Sequence, residues 1–183
     1  MQEPKAGNFL LSEPFMPDTN FKRSVVLLCD HKDKGSVGFV INKPLNLKLN
    51  DVLDNFPEFN AGLYFGGPVQ TDTLHFIHNL GDKISDSVCI GDGLYWGGNF
   101  EAIRLLIETK QASPFSFRFF LGYAGWGPGQ LKDELGENAW IMAPANPGYI
   151  FKVRPDELWR NVLKEMGGQY RIMANFPESP QLN

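Results

Sequence analysis

Short apolar runs separated by segments rich in glycine and proline dominate the hydrophobic pattern of this chain. The mostly apolar runs 24–30 and 37–42 flank a polar segment that ends in Gly35, which predicts a buried antiparallel hairpin. The runs 88–90 and 94–96 flank Gly91-Asp92-Gly93, which predicts a second hairpin. The same pattern predicts further strands at 9–11, 63–65, 74–78, 115–121, 140–143 and 149–153.

A helical period appears in separate, short stretches between these strands. Apolar positions in 100–107 share one face behind Asn99, which is a suitable N-cap. Leu131 and Leu135 predict a short helix, and the four-residue repeat in 155–166 predicts a longer one that begins at Pro155. A fourth, short helix is predicted over 50–56. The order of elements favours an α+β fold with a largely antiparallel or mixed sheet and three or four short helices.

The length and composition suit one domain with a substantial core. The 183 residues are 43% hydrophobic and include 15 Phe, so we expect a single domain over 1–183, with extended termini at 1–8 and 175–183. There are 17 Lys and Arg against 21 Asp and Glu, a net charge of −4. This balance disfavours direct nucleic-acid binding, although a local basic patch is compatible with it.

The cysteines and the apolar runs bear on the compartment. Cys29 and Cys89 lie in apolar, strand-like runs and are interpreted as buried, reduced thiols. The first residues lack the pattern of a signal peptide, and no apolar run approaches the roughly 20 residues that span a bilayer. We therefore expect a cytoplasmic protein with no membrane contact.

The densest glycine segment, 121–131, lies between a predicted strand and a predicted helix. That placement suggests a phosphate-binding turn, because free backbone N–H groups and a helix N-terminus attract anions. The detailed motifs do not match, since Gln130 stands where a dinucleotide fingerprint requires glycine and no Lys-Ser or Lys-Thr follows Gly129. A shaped structural turn is the favoured interpretation, and an anion site is the alternative.

Other side chains give no coherent catalytic set. His75 and His78 are three apart in a predicted strand, so they face opposite sides and cannot share a metal; His78 is expected to end its strand at the surface. His31 is expected to be solvated at a hairpin tip. Ser24 follows Lys22 and Arg23, whose charges could hold an anion near its hydroxyl, but no nucleophile elbow is present. We therefore expect no catalytic residues, metal ligands or cofactor.

Four ordered motifs together resemble the AlgH-like family of bacterial proteins. The resemblance extends over roughly residues 7–166, and its motifs are NFKRSVVLLCDH at 20–31, GFVINKP at 38–44, YFGGPV at 64–69 and LGYAGWGPGQL at 121–131. The resemblance implies a compact fold whose sheet bends into a pseudo-barrel. The family takes its name from a proposed transcriptional regulator of alginate production, and the resemblance implies no catalytic residues.

Two functional hypotheses follow. The first is a non-enzymatic regulatory or interaction protein whose partner is another protein and whose effect on transcription is indirect. The alternative is an enzyme that binds a small molecule or nucleotide phosphate through Arg23, Asn42 and the glycine turns. The oligomeric state stays open. The candidate partner or ligand surface comprises Arg23, Ser24, His31, Asn42, Gly66, Gly67, Pro68, Tyr123, Gly125, Trp126, Gly127 and Gln130.

Overall fold

A computed structural model describes residues 3–178 of the chain, and they form one α+β domain. Their ten strands are β1 (Asn8–Ser12), β2 (Val25–Lys32), β3 (Gly35–Val40), β4 (Pro44–Lys48), β5 (Gly62–Phe65), β6 (Val69–His78), β7 (Val88–Gly91), β8 (Leu94–Trp96), β9 (Phe117–Trp126) and β10 (Trp140–Pro144). Their five α-helices are α1 (Phe100–Glu108), α2 (Gln130–Gly136), α3 (Pro147–Lys152), α4 (Pro155–Met166) and α5 (Gly168–Met173).

The sheet is mixed but largely antiparallel, as predicted. Its main path runs β10-β1-β2-β3-β9-β6-β8-β7, and β5 joins β9 from the side and also pairs with β4. The β5–β9 pair is parallel, and the other strand pairs are antiparallel. The path ends at β10 and β7 without joining them, so the sheet is curved and open, and the pseudo-barrel does not close.

Both faces of β1 and β2 are buried, which explains why these strands are apolar at successive positions. Phe9, Leu11 and Leu27 pack into a core with α3, α4 and α5. Leu10 and Leu28 face the opposite side and pack with Trp126, Trp140 and α2. Each fully buried Leu contributes about 1.5–3 kcal/mol through removal from water, so the two layers together stabilise the centre of the sheet.

A third core cluster lies under α1. Ile103, Leu106 and Ile107 of this helix pack against Phe119 of β9 and its neighbours, and Asn99 caps the helix, its Oδ1 accepting from the N–H groups of Glu101 and Ala102. The predicted helix is therefore confirmed at the predicted cap.

Two predicted elements differ from the structure, and one helix of the structure was not predicted. The run 149–153 is not a strand: Asn146 accepts a hydrogen bond from the N–H of Gly148 and Pro147 starts α3, so local capping overrides the β-like composition. The predicted helix over 50–56 is reduced to one 3₁₀ turn at Leu49–Asp51. Helix α5 was not predicted and raises the number of α-helices to five, above the three or four expected.

Two burial predictions are also corrected. His78 is fully buried at the end of β6, where its Nε2 lies 3.0 Å from Ser87 Oγ and 3.2 Å from the carbonyl of Gly97. Cys89 is exposed on the edge strand β7, whereas Cys29 is buried, and both thiols are free. In the termini, β1 already begins at Asn8, and the expected extended segment beyond 178 lies outside the described residues.

Candidate functional site

The glycine-rich segment continues a strand before it becomes a turn. Strand β9 extends to Trp126, five residues beyond the predicted end, because its glycines let another backbone approach closely. A Cβ on Gly122, whose φ is +71°, would lie 2.4 Å from the carbonyl oxygen of Gly67. A Cβ on Gly66 would lie 2.2 Å from the carbonyl oxygen of Gly122. Two of the four family motifs therefore meet backbone to backbone, with Gly66 and Gly67 buried and Pro68 exposed beside them.

Two tryptophans and one carboxylate join this segment to α2 and β10. The indole N–H groups of Trp126 and Trp140 donate to Glu134 Oε2 at 2.8 and 2.7 Å. Their rings pack edge to face, with centroids 5.7 Å apart. Trp126 is only 6% exposed, so it packs inside the protein and does not itself present a contact surface.

The N–H group that would cradle a phosphate already has an acceptor. The Gly127 N–H donates to Gln130 Oε1 at 2.9 Å, and Gln130 Nε2 donates to Glu134 Oε1 at 2.8 Å. Gly129 precedes α2 with φ +78°, which explains a glycine at that position. The turn 127–130 is thus stabilised by its own side chains and a carboxylate, which favours the structural interpretation over the anion site.

Arg23, Ser24 and Asn42 form a separate, internal cluster. Asn42 accepts from the N–H of Val25 at 2.8 Å and donates to the carbonyl of Arg23 at 2.9 Å. The Arg23 guanidinium lies 4.8 Å from the centroid of the Trp159 ring and donates to the carbonyl of Phe176. Ser24 is fully buried, and its N–H donates to Ser12 Oγ. The Arg23 and Asn42 side chains thus bond to the protein's own backbone, whereas the buried Ser24 hydroxyl has no hydrogen-bond partner among the described residues. The structure does not bring the three side chains to the turn 127–130 as a shared ligand site.

A third group of candidates lies around the tip of the β2–β3 hairpin. His31 Nδ1 lies 2.7 Å from Ser36 Oγ, and Ser36 is the strand partner of Trp126. Tyr123 and Gly125 line a shallow cavity of about 440 Å³ beside this tip. The candidates of the sequence analysis are therefore divided among this hairpin tip and its cavity, the internal cluster, the α2 turn and the contact of Gly66 and Gly67 with β9.

A groove that the sequence analysis did not find lies beside β10. Its volume is about 810 Å³. It is lined by Leu135 of α2, Ile141 and Met142 of β10, Tyr170 and Met173 of α5, and by polar residues that include Glu3, Glu13 and Lys132. We call it the β10 groove. Trp140 also lines it, so the Trp126–Glu134–Trp140 contacts fix one of its walls.

The free edge of β10 opens into this groove. Glu13 donates to the carbonyl of Ala139 and Ala145 donates to the carbonyl of Gly7, so odd-numbered residues of this stretch exchange hydrogen bonds with β1. Trp140 and Met142 consequently direct their N–H and C=O groups away from β1. Within residues 3–178, no other strand pairs with this edge. An exposed edge of this kind is a template for an added strand.

Several partly or fully buried titratable groups lie away from the β10 groove. Burial lowers the pKa of His75 and of His78, and for His78 the carbonyl of Gly97 partly opposes the shift. Burial also lowers the pKa of Lys43, whose Nζ donates to the carbonyls of Thr19 and Asn20. Among the described residues, no three His, Cys, Asp or Glu side chains gather where a metal ion could be held.

In the stretch from 3 to 178, no helix combines the length and apolar character that crossing a bilayer requires.

Comparison with known proteins identifies the class of protein to which this fold belongs. The family model described as AlgH-like matches residues 9–171, and the chain therefore belongs to the AlgH-like family. Relatives named UPF0301 protein include one from Cytophaga hutchinsonii, 46% identical over 97% of this chain and 98% of its own length. Another, from Chlorobaculum parvum, is 44% identical over 98% of this chain and 96% of its own.

Two solved structures resemble the fold. The solution structure of the AlgH protein from Pseudomonas aeruginosa superposes with a TM-score of 0.74 at 31% identity, covering 97% of this chain and 98% of that one. The crystal structure of protein DIP2367 from Corynebacterium diphtheriae gives a TM-score of 0.78 at 22% identity, covering 96% of this chain and 94% of that one. The first supports both family and fold, and the second supports the fold alone.

Proposed function

We propose that this AlgH-like protein is a non-enzymatic, cytoplasmic regulatory protein that acts by binding an extended segment of another protein in the β10 groove. The observation that supports this most directly is the free edge of β10 lying along a groove lined by both apolar and polar side chains. Backbone groups of Trp140 and Met142 would pair with the added strand. Its apolar side chains would pack on Leu135, Tyr170 and Met173.

The charges of the β10 groove indicate what the bound segment carries. Glu3 and Glu13 lie among its lining residues, together with the single cation Lys132. An apolar segment with at least one basic residue is complementary to that arrangement. The wall formed by the Trp126–Glu134–Trp140 contacts is rigid, so little of the binding free energy is lost in ordering it.

The alternative of a phosphate-binding enzyme has less support. It depends on Arg23 and Asn42, whose side chains bond to the protein's own backbone, and on the glycine turn, whose Gly127 N–H donates to Gln130. Any effect on transcription is proposed to be indirect, because the net charge is −4. Titration of labelled promoter DNA at low and moderate salt tests this. Tight, salt-sensitive binding of the DNA would overturn the proposal that the effect on transcription is indirect.

The proposed interaction is tested by changing one backbone donor at the edge. Affinity purification from native cytoplasm is performed with wild type, Met142→Pro and the control Met142→Leu. A partner that needs the edge is retained by wild type and Met142→Leu and lost by Met142→Pro, which lacks the N–H. Hydrogen exchange on the purified complex should then show new protection at the amides of Trp140 and Met142.

Two outcomes count against the proposal. If every specific partner binds Met142→Pro as well as wild type, the edge is not the docking site. If sedimentation shows a dimer of this chain that Met142→Pro dissociates, a second copy occupies the edge and the proposed partner segment does not.

A further inference from the structure

Arg118 is a buried cation that has no acidic partner among residues 3–178. It lies in β9 opposite Ile77 of β6, and only 8% of its surface is exposed. Its Nη2 donates to the carbonyl of Ile150 in α3, and its guanidinium lies 4.1 Å from the centroid of the Tyr64 ring. Its Nε is buried and has no hydrogen-bond acceptor among the described residues.

A cavity of about 370 Å³ opens at this arginine, and its charged lining is cationic. Arg118, Lys152 and Arg154 line it, and none of its lining residues is acidic. Arg154 already pairs with Asp156 at 2.7 Å and with Glu157 at 3.7 Å. Lys152 is exposed and makes no ion pair within residues 3–178. Two cations therefore face one small cavity, and the part of the chain that the structure describes supplies no carboxylate to balance them.

An uncompensated buried charge is costly, so this arrangement needs a physical explanation. Arginine stays protonated in proteins, and burial of its charge is tolerated when an anion or a full set of acceptors balances it. One carbonyl and one aromatic face supply only part of that balance here. The planar guanidinium fork matches carboxylate and phosphate oxygens, and a nearby Lys adds a second positive charge.

We propose that this cavity binds a small metabolite through a phosphate or carboxylate group, held by Arg118 and assisted by Lys152. Neither the AlgH-like family match nor the proposed partner groove assigns a ligand here. The cavity and the β10 groove have no lining residue in common, so each proposal stands or fails by itself.

The remainder of the ligand is apolar or aromatic. Phe115 stands at the rim of the cavity with 79% of its surface exposed, and Phe151 lines the same cavity. A neighbouring cavity of about 570 Å³ shares Phe115, Phe151 and Lys152 with the first. An exposed aromatic ring beside a charged pocket provides a surface on which a planar group can stack.

Binding is tested with phenyl phosphate and benzoate as probes, phenol as the uncharged control and inorganic phosphate as the bare anion. Two-dimensional NMR titration of the full chain follows the amides of 115–118 and 150–154. We expect saturable shifts with either charged aromatic probe and none with phenol. Response to phenyl phosphate alone indicates a phosphate ligand, and response to benzoate alone indicates a carboxylate. Inorganic phosphate should bind more weakly than phenyl phosphate because it lacks the ring.

Variants separate a binding site from a structural arginine. Lys152→Gln should weaken phenyl phosphate binding about threefold, the effect of one exposed charge. The control Lys164→Gln, at an exposed position of α4 that lines neither the cavity nor the β10 groove, should leave it unchanged. Arg118→Met should abolish saturable binding. If Arg118→Met does not fold, the effect of Lys152→Gln on binding tests the proposal instead, because an exposed side chain can be replaced without disturbing the core. The proposal is overturned if neither charged aromatic probe gives saturable amide shifts at concentrations up to about 10 mM, since any dissociation constant above that concentration means very weak binding. It is also overturned if Lys152→Gln binds phenyl phosphate as tightly as wild type does.

Discussion

Trp126 and Trp140 share one hydrogen-bond acceptor, Glu134 Oε2, at 2.8 and 2.7 Å. The two indoles come from the end of β9 and the start of β10, and the carboxylate comes from α2 between them. Three elements that follow one another in the chain are thus joined at one side chain. The same contacts form a wall of the β10 groove, which connects the glycine–tryptophan motif to the proposed interaction surface without exposing Trp126 itself.

Loss of the shared acceptor should destabilise the fold. Glu134→Ala leaves two largely buried indole donors without a partner, and we expect the free energy of unfolding to fall by about 2–4 kcal/mol. Urea denaturation followed by tryptophan fluorescence measures the change. The matched control is Glu137→Ala, at an exposed position just after α2, which should change stability by less than about 0.5 kcal/mol. Equal effects of the two variants would contradict the role assigned to Glu134.

The contact between the two glycine motifs should tolerate no side chain. Gly67 has φ +153°, and an added Cβ would lie 2.2 Å from the carbonyl carbon of Tyr123. Gly67→Ala should therefore lower the free energy of unfolding by about 3 kcal/mol or more, since steric overlap and backbone strain act together. Gly62→Ala is the control, because nothing lies within 4 Å of its added Cβ. A stable Gly67→Ala protein would show that the backbones are farther apart than described.

The two sides of β10 should respond differently to proline. The Ile141 N–H points toward Leu11 of β1, whereas the Met142 N–H points into the β10 groove. We expect Ile141→Pro to destabilise the protein by about 3 kcal/mol or more and Met142→Pro by about 1 kcal/mol or less, as measured by chemical denaturation. The reverse order would mean that the assigned register of β1 and β10 is shifted by one residue.

Protonation of His78 should destabilise the protein in mild acid. Leu80 donates its N–H to His78 Nδ1 at 3.2 Å, so a proton on that nitrogen would face another donor. Burial lowers the pKa of folded His78 below 6.5, whereas the unfolded side chain binds a proton near 6.5. The unfolded state thus carries more protons between these two pKa values, and the free energy of unfolding decreases as the pH falls through that interval.

The histidine contribution is measured as a difference between two proteins. Unfolding free energies of wild type and His78→Gln are determined from about pH 7 to about pH 5. The decrease should be smaller in His78→Gln, by at most about 1.4 kcal/mol per pH unit for one proton. His75, whose pKa burial also lowers, remains in both proteins and therefore cancels in the comparison. Parallel profiles would show that His78 does not titrate in this range.

Local sequence patterns predicted some secondary-structure elements correctly, and they failed for other elements and for the burial of His78. The β2–β3 hairpin was predictable because two apolar runs flank a polar turn, and α4 because Pro155 precedes a four-residue apolar repeat. The run 149–153 was misassigned because its β-like side chains concealed the Asn146 cap, a signal that was present in the sequence. The burial of His78 had no local signal, since Ser87 and Gly97 reach it only after β6, β7 and β8 have assembled.

The contacts of the candidate site could likewise be predicted only in part from local sequence patterns. Glu134, Trp126 and Trp140 lie within fifteen positions of one another, yet the acceptor shared by the two indoles depends on how α2 packs between β9 and β10. The β10 groove and the Arg118 cavity each combine residues from distant parts of the chain.

The sequence by itself determined the α+β class, the largely antiparallel sheet, most strand and helix positions and the family to which the protein belongs. These follow from side-chain periodicity, capping and turn residues, which act over a few neighbours. Only the tertiary structure decided that β10 is an edge, that the glycines of two motifs meet and that Arg118 is buried with no carboxylate beside it from residues 3–178. Those properties depend on which distant segments pack together, and the packing free energy is a sum over the whole fold.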